Sequence, residues 1–141
     1  MNIGGTTLLK QNGEPDTPIV KSYSVPIRRL DEVIIGFESP ALCKIDVQGF
    51  ELEVLKGMTN IIDKIDVFII ECHFLDTLEN IPDFSEVLIF LKKYDFVIYD
   101  IISLGHRPLD NALAETDLVF VKTKSIFRSD NRWRIKKNDS L

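Results

Sequence analysis

Residues Ala41 to Gly57, ALCKIDVQGFELEVLKG, constrain the fold more than any other stretch of the chain. The run from Ala41 to Val47 is short and mostly apolar, which suits a buried strand that ends at Asp46 and enters a polar turn at Gln48 and Gly49. After Gly49 the period changes. Phe50, Val54, Met58 and Ile61 recur at three- and four-residue steps, with Leu55 and Ile62 beside them, as on one face of a helix. Glu51, Glu53 and Lys56 take the other face, and Glu51 sits where the positive end of the helix dipole favours a carboxylate. A strand, a glycine-containing turn and a helix make half of a βαβ unit, so the expected class is α/β.

The flanking segments read as neighbours of this unit. Residues 1–22 are rich in Gly, Asn, Thr, Pro and Lys and are expected to form a loop or loose hairpin. Tyr23 to Leu30 alternates like an edge strand interrupted by Pro26, and Leu30 to Ile34 reads as one or two helical turns capped by Asp31. Met58 to Lys64 continues as a second short helix after Gly57. The run DVFIIE, Asp66 to Glu71, is a second buried strand, parallel to the first, and Cys72 and His73 follow at once. Pro82-Asp83 opens a helix with Phe84, Val87, Leu88, Leu91 and Tyr94 on its apolar face. Phe96 to Ile102 and Asp117 to Lys122 are strands without a helical pattern between them. A parallel crossover needs such a helix, so these last strands are expected to pair antiparallel, or the second to insert beside its predecessor. Residues 124–141 form a basic tail.

The chain has 141 residues and a net charge of −5, which suits one domain and gives no basic stripe for nucleic acid in its body. No apolar run approaches the roughly 20 residues of a membrane span, and the expectation is a cytoplasmic protein. Its two cysteines, Cys43 and Cys72, fall in strand-like runs and are expected to be buried thiols.

The segments VPIRRLDEV, LCKIDVQGFELEVLKG, DVFIIECH, FVIYDI and TDLVFVK resemble, in order and approximate spacing, the C-terminal half of the FkbM-like methyltransferases. The resemblance covers about residues 20–123, with the domain expected over 23–123. It implies part of a Rossmann-like class I methyltransferase sheet, parallel strands with an antiparallel last strand. The implied cofactor is S-adenosylmethionine, and the implied reaction is O-methylation of a hydroxyl on a sugar, glycolipid or polyketide-like acceptor. Such folds grip the cofactor with a strand ending in a Gly-rich turn. Gly4-Gly5 follows no apolar strand, so the expectation is a truncated chain with an exposed sheet edge, covered by a second copy or by a missing N-terminal chain. The alternative is a catalytically inactive remnant acting as an interaction or structural module.

Ligands of open α/β sheets lie at the carboxyl ends of the strands, where Asp46, Glu71 and His73 are expected to share one crevice. Asp46 is the candidate for positioning cofactor or substrate, and Glu71 or His73 for proton handling, since a hydroxyl acceptor needs a base. Competing structural roles are a bond from the turn N–H groups to Asp46 and an ion pair of Glu71 with a lysine such as Lys44. His106 and Arg107, in the loop before the last strand, are candidates for the acceptor side. No metal is expected: Glu71, Cys72 and His73 alternate between faces, and Cys43 lies on the order of 10 Å back along its strand.

Overall fold

The parallel pair forms where the apolar runs put it. In the computed structural model, which describes residues 24–77 and 80–134, strand β1 (Leu42–Ile45) pairs in parallel with β2 (Val67–His73), Leu42 opposite Val67 and Ile45 opposite Ile70. The expected loop or hairpin over residues 1–22 lies outside the described residues. At the entrance to the pair, the Asp66 carboxylate accepts from Ala41 N–H at 2.8 Å and from the Ser39 hydroxyl at 2.7 Å. Those donors, the Ala41 N–H foremost, hold its carboxyl below the usual carboxylate range.

Helix α2 (Glu51–Lys56) follows β1 and ends at Gly57, and a 3-10 turn at Ile62–Lys64 leads into β2. Helix α3 (Phe84–Lys92) starts with a capping box: Asp83 accepts from Ser85 N–H at 2.7 Å, and Glu86 accepts from Asp83 N–H at 3.0 Å. Val87 and Leu91 are buried, and Phe84 and Leu88 pack beside them, as the helical period predicts. Asp95, with φ 62°, turns the chain into β3 (Phe96–Ile101).

The last strand, β5 (Leu113–Lys122), lies between β2 and β3 and is antiparallel to both, giving the order β1-β2-β5-β3. A two-residue strand, β4 (Gly105–His106), also pairs with β5. The fold is therefore α/β with a mixed sheet. One face of that sheet packs on the helices: Ile45, Phe68, Ile70, Phe96, Leu118 and Phe120 meet Leu55, Met58, Ile62, Val87 and Leu91. Phe68 and Phe96 meet edge to face at 5.0 Å between centroids. Burial of each such side chain contributes roughly 1.5–3 kcal/mol before chain entropy is set against it.

Local expectations change. The short helix expected over Met58–Lys64 forms as turns and the 3-10 segment Ile62–Lys64, and the Cys43 thiol, expected buried, is half-buried. No strand forms over residues 24–29: Val25 and Ile27 are 67% and 82% exposed, because alternation without a partner strand buries nothing. Helix α1 (Leu30–Val33) is present, but Asp31 does not cap it; its carboxylate takes the Arg29 guanidinium at 2.8 Å and Asn60 N–H at 3.1 Å, tying α1 to the end of α2. Strand β5 begins at Leu113 rather than at Asp117.

Candidate active site

The turn after β1 gives the site its shape. Gln48 and Gly49 have φ values of 53° and 99°, so the backbone folds back through two left-handed residues. This aims the N–H groups of Val47 and Gly49 at one point, and Glu51 Oε1 accepts from both at 3.1 Å. Glu51 is therefore pulled inward from the first turn of α2 and is wholly buried. Its second oxygen, Oε2, has no hydrogen-bond partner.

Glu71 and His73 share a face of β2 two residues apart, while Cys72 between them points into the core. His73 is 3% exposed and neither ring nitrogen has a hydrogen-bond partner. Its Nε2 stands 3.7 Å from Glu71 Oε2 and its Nδ1 4.0 Å from Glu115 Oε2. Glu115 lies opposite His73 on β5 and runs over Gly105, where an added Cβ would come within 2.5 Å of its side chain. The Gln48 amide links Glu71 Oε2, at 2.9 Å, to Asp46 Oδ1, at 3.2 Å. Lys44 spans Asp46 at 3.2 Å and Asp117 at 3.0 Å, and Asp117 also accepts from the Ser103 hydroxyl at 2.9 Å.

Carboxylates outnumber cations at this end of the sheet. Burial, and then the charges of Asp46, Glu115, Glu51 and Asp117, push the Glu71 carboxyl up to about 7. Burial likewise pushes the Cys72 thiol up to about 12, so it is not a nucleophile.

The profile of the methyltransferase FkbM domain matches residues 3–98, more than half of the chain. The chain belongs to the FkbM methyltransferase family. A 45-residue stretch is 47% identical to the hexuronic acid methyltransferase AglP of Haloferax volcanii, covering 30% of this chain and 19% of that protein. The chain thus matches about a fifth of the length of that curated relative. No solved structure matches. The matched residues of the FkbM domain include the β1 turn, β2 and α3, and they end within β3.

Within this FkbM domain the structure brings Asp46, Glu71 and His73 to one end of β1 and β2, with Gln48 joining the two carboxylates. The competing structural roles fall to other residues. Glu51, not Asp46, accepts from the turn N–H groups, and Lys44 pairs with Asp46 and Asp117, not with Glu71. His106 and Arg107 lie across β5 from His73. His106 is exposed, and Arg107 binds Asp110 through both Nε, at 2.8 Å, and a terminal nitrogen, at 2.6 Å. Neither makes a hydrogen bond or ion pair with Asp46, Glu71 or His73 among the described residues. Sequence pattern alone does not single out Glu51, because a carboxylate in a first helical turn reads as a partner of the dipole. The usable signal is the Gly-Phe-Glu step, which puts a carboxylate two residues after a left-handed glycine. Among the described residues no helix is long and apolar enough to cross a membrane.

Proposed function

We propose that this chain is part of an S-adenosylmethionine-dependent O-methyltransferase with a Rossmann-like sheet, acting on a hydroxyl of a sugar, glycolipid or polyketide-like acceptor. The observation that carries the reading is the convergence of Asp46, Glu71 and His73 at the carboxyl ends of adjacent parallel strands in an FkbM domain. The surplus of negative charge there fits both a cationic sulfonium and a hydroxyl donor. When bound, S-adenosylmethionine supplies an activated methyl group. Asp46 at the mouth of the crevice orients cofactor or acceptor. Glu71, titrating near neutrality, takes the hydroxyl proton at a carboxylate oxygen, and His73 at 3.7 Å is the next group along the proton path. His106 and Arg107 flank the acceptor side. The hexuronic acid for which the Haloferax protein is named supports a sugar acceptor.

Strand β1 pairs only with β2 among the described residues, and Leu42 on it is 60% exposed. This favours a second copy, or a further chain segment, along that edge. Calorimetric titration of the purified chain with S-adenosylhomocysteine tests the function. Saturable heat that Asp46→Ala abolishes is the expected result; no heat at millimolar ligand would overturn cofactor binding by this chain alone and leave the role of an interaction module.

A further inference from the structure

Among the described residues, Glu51, Glu71 and His73 each present a ligand atom, all within 4.8 Å of one another. Tetrahedral zinc with bonds of about 2.1 Å separates its ligand atoms by roughly 3.4 Å, so the widest pair has at most about 1.4 Å to close. The groups are already held for it. Glu51 Oε1 is fixed by two backbone N–H groups, which leaves Oε2 without a partner, and the backbone of His73 is set by its place in the β2–β5 ladder.

Burial makes these groups informative. Glu51 Oε2 and both nitrogens of His73 are buried without a hydrogen-bond partner. More than about nine in ten buried polar groups are satisfied in folded proteins, so orphans on two residues of one cluster mark an absent partner. A proton shared between Glu51 and Glu71 would satisfy the carboxylates but leave the imidazole unmatched. A cation takes Glu51 Oε2 and the ring nitrogen that faces Glu71, and the other ring nitrogen is left as an N–H donor 4.0 Å from Glu115 Oε2. Lys44 at this end of the sheet is engaged by Asp46 and Asp117, and Arg107 is engaged by Asp110.

We propose that Glu51, Glu71 and His73 form a binding site for a divalent first-row transition cation such as Zn²⁺ or Mn²⁺. One imidazole with two carboxylates suits these ions better than Ca²⁺ or Mg²⁺, which favour all-oxygen shells. The softer ligand nearby, Cys72, faces the core and cannot join. Three protein ligands leave at least one coordination position for a water or hydroxyl oxygen. That this position receives the acceptor hydroxyl rests on the proposed methyltransferase reading, and with the ion bound it is the ion that acidifies that hydroxyl while Glu71 serves as a ligand rather than as the base; the binding of the ion does not rest on that reading.

The test uses the full chain, stripped with a chelator and titrated separately with Zn²⁺ and Mn²⁺ against a competing indicator dye. The expected result is one ion per chain, with affinity reduced more than about tenfold in Glu51→Gln and in His73→Gln and unchanged in Asp110→Asn. Glu51→Gln keeps an oxygen for the Val47 and Gly49 N–H groups, and circular dichroism checks that both variants fold. As a second readout, ring ¹⁵N shifts of His73 in the wild-type chain must move on adding Zn²⁺. Absence of saturable binding, affinity unaltered in folded variants, or an unmoved His73 ring would each overturn the site, leaving ordered water as the partner of the orphaned atoms. Ion binding without heat from S-adenosylhomocysteine would retain the metal site and overturn cofactor binding by this chain alone. The reverse outcome would do the opposite.

Discussion

Strand β2 is bracketed by two carboxyl groups that behave in opposite ways. Asp66, just before its first residue, faces donors: the Ala41 N–H and the Ser39 hydroxyl stabilise its charge and depress its pKa. Glu71, near the other end, faces burial and the acidic side chains Asp46, Glu115, Glu51 and Asp117, and it rises to about 7. The chemical group is nearly the same and the strand is shared, so the difference lies in what surrounds each. The amino end is satisfied, and its work is to hold β1 against β2. The carboxyl end is left short of positive charge and of donors, a state that costs stability and persists where a ligand or a proton completes the arrangement.

Removing what both ends lean on should have the largest effect. Phe68 is fully buried between them against Phe96, and Phe68→Ala is expected to cost about 3–5 kcal/mol, read from the urea midpoint. Smaller changes should separate the ends by sign. Asp66→Ala, which orphans the Ala41 N–H, is expected to lower stability by about 1–2 kcal/mol. Glu71→Gln, measured at pH 8 with chelator present, is expected to raise stability or leave it unchanged, because it removes a poorly solvated charge and keeps an oxygen for Gln48. Equal losses from both substitutions would erase the contrast.

The two ends also differ in the slope of stability against pH. The Glu71 carboxyl rises from 4.5 to about 7 on folding, so between those values the folded chain binds a proton that the unfolded chain has released. Wild-type stability should therefore fall as pH climbs through that window, and Glu71→Gln should flatten the fall. For Asp66 the sign is reversed. Its contribution is present above the unfolded carboxyl range and is lost as pH drops through its depressed folded value, and Asp66→Asn should flatten that acid limb. Denaturation midpoints across pH 3 to 8 in chelator check both.

Much of this arrangement was legible in residues alone. The change of period at Gly49 located β1 and α2, Pro82-Asp83 located α3, and the missing helix after Ile102 predicted the antiparallel strand. The convergence of Asp46, Glu71 and His73 followed from where parallel strands end. What escaped depended on partners distant in sequence. The start of β5 reads as loop because Ala114 and Thr116 are small or polar; they are buried by position in the sheet rather than by hydrophobicity. The alternation at Val25 and Ile27 is real, but no strand among the described residues receives it. Glu51 escaped because its orientation is set by backbone angles at Gln48 and Gly49, and a sequence pattern gives a residue's face but not the reach of its side chain.

The position of β5 bears on how the chain is made. Residues 113–122 are synthesised after both strands they separate, yet β2 and β3 have no ladder to each other without them. A growing chain that has left the ribosome as far as β3 carries Phe68, Ile70 and Phe96 on strands that cannot close. The sheet becomes continuous only when its central strand arrives late and slides in between. Until then the nascent chain offers a strand-wide slot beside β2, open to chaperones and to the same segment of another copy.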